Sequence, residues 1–104
     1  ASTSLDVRLT SNVRSTSDVK LFFRIIGSED DTTIDKVSWT PFNLNGEEDI
    51  TVTPAEDNTT FREYKYSVSG LKDFTTFQLK IAMTGSISSY PPIIRDMRAV
   101  ALAV

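Results

Sequence analysis

The chain has 104 residues, 39% of them hydrophobic and 24% charged, with a formal net charge of −3. That is enough for one two-layer core and too short for two, too apolar for wholesale disorder, and of the wrong sign for nonspecific binding to nucleic acid. It contains neither Cys nor His, which removes disulfides, thiolate or imidazole metal ligation, cysteine nucleophiles and the Ser-His-Asp triad.

Leu5, Val7 and Leu9 alternate with Asp6, Arg8 and Thr10, the two-residue period of a half-buried strand. A polar connector, 11–17, leads to a second strand in which Val19, Leu21, Phe23 and Ile25 alternate with Lys20, Phe22, Arg24 and Ile26. Gly27 to Thr33 is an acidic, turn-rich loop. A third strand is expected from Asp35, with Val37 and Trp39 on its core face and Pro41 ending regular pairing. Asn45-Gly46 signals a type I′ turn into a short fourth strand at Ile50 and Val52, closed by Pro54. After a polar loop, Tyr64, Tyr66 and Val68 mark a fifth strand. A corner at Gly70 to Asp73 introduces a sixth, with Phe77, Leu79, Ile81 and Met83 facing inward, and a loop at 84–90 precedes the seventh.

In that last strand Ile93 and Met97 occupy odd positions, whereas Val100, Leu102 and Val104 are even. The parity predicts a β-bulge between Met97 and Val100 that switches the inward face. Ala99, Ala101 and Ala103 then line the opposite face, either beneath a loop or the neighbouring sheet, or as a subunit contact. The longest apolar runs fall far short of the ~18 residues of a membrane helix, and the polar start lacks the order of a secretion signal. About seven strands with no helical period predict an all-β fold: a single antiparallel β-sandwich over residues 1–104, immunoglobulin/fibronectin-like or jelly-roll-like.

Few residue sets suggest chemistry. Glu29-Asp30-Asp31 and Glu47-Glu48-Asp49 could offer oxygens to a hard cation, but lack the spacing and glycine of an EF-hand, so solvated loop acids are the favoured reading. No pair of carboxylates is marked for glycoside hydrolysis. Trp39, Tyr64 and Tyr66 fall on predicted core faces, whereas Tyr90 precedes Pro91-Pro92 in a loop and Phe22 lies outward between Lys20 and Arg24. An ordinary trans bond is favoured at Tyr90-Pro91. Asn58-Thr59-Thr60 matches a glycosylation sequon, a short pattern that chance often supplies.

The run from Tyr64 through Ser69-Gly70-Leu71-Lys72-Asp73-Phe74 to Ile81, then Met83-Thr84-Gly85 and Pro91-Pro92-Ile93-Ile94-Arg95-Asp96-Met97-Arg98-Ala99-Val100-Ala101-Leu102, resembles the terminal β-sandwich domains of baseplate and tail proteins of large contractile-tailed bacteriophages, including cyanophages. The opening Leu5 to Leu9 and Asp18 to Arg24 also look like that family's start, while 27–60 matches little. The resemblance implies a non-enzymatic virion structural module, made in the host cytoplasm and forming the C-terminal part of a longer protein. Its implied partners are other virion proteins, with homotrimer formation of the full-length protein one option. No cofactor, metal, nucleic acid or membrane is implied. The residues expected to make contacts are Phe22, Tyr90, Ile94, Arg95, Arg98, Ala99, Ala101 and Ala103. The alternative is a carbohydrate- or receptor-binding module, which would gather Tyr90, Asn43, Asn45 and Asn58 at one loop end; an accessory domain of an extracellular enzyme is a weaker third reading.

Overall fold

A computed structural model describes residues 1–85 and 90–103. Among them the chain forms strands β1 (Ser4–Asn12), β2 (Ser17–Ile26), β3 (Thr40–Pro41), β4 (Arg62–Val68), β5 (Thr76–Gly85) and β6 (Ile93–Leu102), with a single 3₁₀ turn at Ile34–Lys36. They pair as two three-stranded antiparallel sheets, β4-β1-β6 and β3-β2-β5. The fold is all-β and has the form of a β-sandwich.

The two strands with the cleanest alternation become the centres of the sheets. On β1, Leu5, Val7 and Leu9 are fully buried; on β2, Val19, Leu21 and Phe23 face them across the core. Burying a side chain of this size contributes about 1.5–3 kcal/mol. Tyr64 and Tyr66 on β4 share the β1 core face, because directly opposed antiparallel residues point the same way and Leu9 pairs with Tyr64, Val7 with Tyr66.

β1 runs further than its apolar pattern. The predicted connector begins with two buried polar strand residues, Ser11 and Asn12. Ser11 Oγ donates to Ile93 O (3.1 Å), and Asn12 Nδ2 donates to Asp57 O (2.7 Å) and Thr60 O (2.8 Å). These bonds meet the demand that buried polar groups be paired, and those of Asn12 fasten the 57–60 loop onto β1.

The middle of the chain departs from the expected strands. The 3₁₀ turn displaces the third strand to the two-residue β3, in which Pro41 itself pairs with Phe22. Phe42, not Trp39, carries the aromatic core contact, packing edge-on against Phe23 (4.9 Å between centroids) and Tyr66 (6.0 Å). With Phe42 inward, alternation turns Trp39 out. No strand forms at Ile50 and Val52: Ile50 is 81% exposed, while Val52 packs against the core from a loop.

Asn43 and Leu44 both have positive φ, and Gly46 at φ 86° closes a turn back onto Phe42 O. A side chain at Gly46 would sit 3.0 Å from Lys20 Cβ and 3.1 Å from Leu21 O. Glycine here thus serves a close backbone approach, with Leu21 N–H donating to Gly46 O (2.9 Å), and not the predicted hairpin.

Candidate interaction surface

The 40–52 segment covers one flank of the sandwich. Phe42 N–H donates to Leu21 O (3.1 Å), and Asp49 N–H donates to Lys65 O (2.8 Å) on β4. The Asp49 carboxylate accepts from Ser67 N–H (3.0 Å), Ser67 Oγ (2.5 Å) and Asn43 Nδ2 (2.9 Å). Partial burial pushes this carboxyl up, but those hydrogen bonds and nearby Lys65 outweigh it and hold the group below the usual aspartate value. The edge of β4 is therefore occupied by the chain's own backbone and a carboxylate.

The opposite flank, formed by β5 and β6, has no such cover among the described residues. The pairing of β1 with β6 slips one residue between Thr10 and Ser11, so that Ser11 faces Ile94 and Thr10 faces Asp96. Arg95 is the extra residue of a β-bulge, two positions before the expected switch. Beyond it Met97 opposes Leu9, Ala99 opposes Val7 and Ala101 opposes Leu5. The alanine face therefore points to the core side, and Val100 and Leu102, opposite Asp6 and Ser4, point outward, the reverse of the sequence expectation.

Exposure shows how open this flank is. Met97 faces inward yet is 45% exposed, against 0% for Leu9 beside it. Val100 and Leu102 are 51% and 44% exposed on the outer face, and Ile93 is also exposed. Across the gap, Phe77, Leu79 and Ile81 on β5 are only half-buried and Met83, expected inside, is exposed. Of the usual devices that blunt strand edges, this ten-residue strand carries the bulge at Arg95 and the charges of Arg95, Asp96 and Arg98, but no proline or lysine, and its apolar residues stay exposed between them.

Charges on the outer face of β4-β1-β6 are arranged in rows. Arg8 stands directly opposite Lys65 on one side and Arg98 on the other. The carboxylates answer: Arg8 bonds Glu63 (3.2 Å) and lies 3.6 Å from Asp6, while Arg98 Nε is 3.4 Å from Asp96. Asp6, Arg8, Glu63, Arg98, Val100 and Leu102 line a shallow depression of about 340 Å³.

The other expected contact residues are dispersed. Ile94 packs half-buried against the core, and the Arg95 guanidinium lies 4.5 Å from the Phe61 ring centroid. Ala103 is exposed just beyond β6, and Val104 lies outside the described residues. Phe22 is outward on the second sheet, where Lys80 Nζ lies 4.9 Å from its ring centroid and 5.1 Å from that of Trp39. The Arg24 guanidinium stacks on Trp39 at 4.2 Å and also bonds Gln78 Oε1. These rings and cations hold the 35–39 segment against the sheet.

Tyr90 carries Arg14 over its ring at 4.4 Å, and Arg14 Nη1 donates to Asn58 Oδ1 (2.8 Å). Asn43 instead binds Glu47 O and Asp49 on the covered flank, so the proposed glycan constellation is divided. No group of three or more acidic residues among those described could hold a metal ion. The Asp30 oxygens are taken by Gly27 N–H (2.6 Å) and Lys72 Nζ (3.0 Å), which lower its pKa. No helix among the described residues is long and apolar enough to cross a membrane. Neither the protein-family models nor the curated proteins nor the solved structures include a match to this chain.

Proposed function

We propose that this chain is a non-enzymatic structural module that works by protein–protein contact through the β5/β6 flank, in the tail or baseplate of a contractile-tailed bacteriophage. The observation that carries the contact role is the β6 edge, unpaired among the described residues, with Ile93, Met97, Val100 and Leu102 exposed along it. The virion setting rests on the resemblance of the terminal strands alone. Of the expected contact residues, Arg98 belongs to this surface directly. Ala99 and Ala101 contribute by being small, since they let another backbone approach the inner side of the strand.

The test is incorporation. The parent protein should be found by mass spectrometry in purified contractile tails, and Val100→Lys with Leu102→Lys should prevent its incorporation while the isolated module keeps its β spectrum. A parent absent from the tails, or one whose assembly ignores both lysines, contradicts the reading.

A further inference from the structure

We infer that the partner of the β6 edge is a second copy of this chain, joined by antiparallel pairing of β6 with its symmetry mate about Met97. The inference rests on the contact role proposed above and names its partner. A two-fold contact must be self-complementary, because each residue meets its own counterpart's neighbours. In a continuous antiparallel sheet directly opposed residues also share a face, which leaves only registers in which inward meets inward and confines the pairing to the stretch around Met97, because past the Arg95 bulge inward Ile94 would oppose outward Val100.

Among the registers centred on 96–99, which keep Asp96 and Arg98 within the contact, the charges choose. Centring the pair on Asp96 or on Arg98 sets that residue against its own copy, with like charges opposed. Centring it on Ala99 leaves Asp96 against a leucine and Arg98 against a valine. Centring it on Met97 sets Asp96 against Arg98 of the second copy and Arg98 against its Asp96, while the two exposed Met97 side chains meet on the inner side. Asp96 and Arg98 already sit 3.4 Å apart within one strand with both side chains more than half exposed, so each can turn to the opposed partner. The bulge at Arg95 sets this up, since it places Asp96 and Arg98 on the outer face and Met97 on the inner one. A single strand-to-strand contact is a small interface, so the dimer is expected to be weak.

Light scattering and sedimentation of the wild-type chain at concentrations up to about 1 mM, high enough to register weak association, should show the mass rising from 11.6 kDa towards twice that value. Asp96→Arg and Arg98→Asp should each reduce self-association at least ~10-fold. An equimolar mixture of the two should restore it, because the heterodimer again opposes unlike charges. The chain has no cysteine, so Met97→Cys gives a single thiol opposite itself, at a Cα separation of ~5 Å that a disulfide can span. Oxidation should link it covalently, and Lys65→Cys on β4 should not link.

A wild type that stays at 11.6 kDa throughout, single variants that associate like the wild type, or equal crosslinking at both thiols would overturn the inference. Failure of self-pairing with Val100→Lys and Leu102→Lys still blocking tail incorporation would remove the second copy and leave the contact role standing. Loss of both would remove both.

Discussion

The two flanks of this sandwich are built from the same kind of strand and finished differently. At β3/β4, the 40–52 segment lays Phe42 into the core, Gly46 against Leu21 and Asp49 onto the β4 edge. At β5/β6, inward-pointing Met97 and Ala99 remain exposed, and Val100 and Leu102 stand outward on an edge left unpaired among the described residues. One flank thus spends its hydrogen bonds and apolar surface within the chain, and the other keeps them available. Stability should concentrate in the first and interaction in the second.

The sharpest way to break this contrast is to remove its central side chain. Phe42→Ala leaves a cavity between Phe23 and Tyr66 and should cost about 3–5 kcal/mol in urea unfolding, enough to unfold much of a small domain. Gly46→Ala comes next. Its positive φ and the Leu21 backbone 3.1 Å away predict a loss of about 1–3 kcal/mol, read from the same denaturation curves. A loss below about 0.5 kcal/mol at either position would deny the covered flank its structural role.

Acid should weaken the loops before the strands. Asp57 accepts from the N–H groups of Thr59 and Thr60, which hold its pKa at about 2 against an ordinary 3.8. A group with a depressed folded pKa contributes stability that is present above its unfolded pKa and lost as pH falls through its folded one. The Asp57 contribution is therefore complete above about pH 4 and fades towards about pH 2, with Asp30 and Asp49 shifted in the same direction. Asp57→Asn should be most destabilising near neutral pH and approach the wild type near pH 2, as followed by denaturation midpoints across that range.

The smallest folding effects are expected on the open flank. Val100→Lys and Leu102→Lys should each change stability by less than about 0.5 kcal/mol, although they replace apolar residues, because both side chains are already half in water. A large loss there would show that these residues belong to the core.

The same contrast explains what could be read in advance. β1, β2, β4 and β5 were legible because one buried face imposes strict alternation, as with Leu5, Val7 and Leu9. The middle third was not, because a covering loop packs through isolated side chains: Phe42 anchors it with no period, and Trp39 is turned outward onto Arg24. Ser11 and Asn12 hid the end of β1, since polar residues enter a core only where particular bonds await them. On β6, residues at both parities are apolar, so the sequence signalled a bulge without locating it at Arg95. That displacement reversed the alanine face and brought Asp96, Met97 and Arg98 into the arrangement on which self-pairing depends.

Amide hydrogen exchange of β6, followed against protein concentration with β4 as internal reference, tests the central claim most directly. About half the amides of an edge strand point away from their sheet. In dilute solution the outward β6 amides should exchange quickly, whereas Ser67 N–H, bonded to Asp49, is protected. As concentration rises, protection should grow in β6 and stay constant in β4. Protection of the whole of β6 in the dilute chain, or exchange indifferent to concentration, would contradict it.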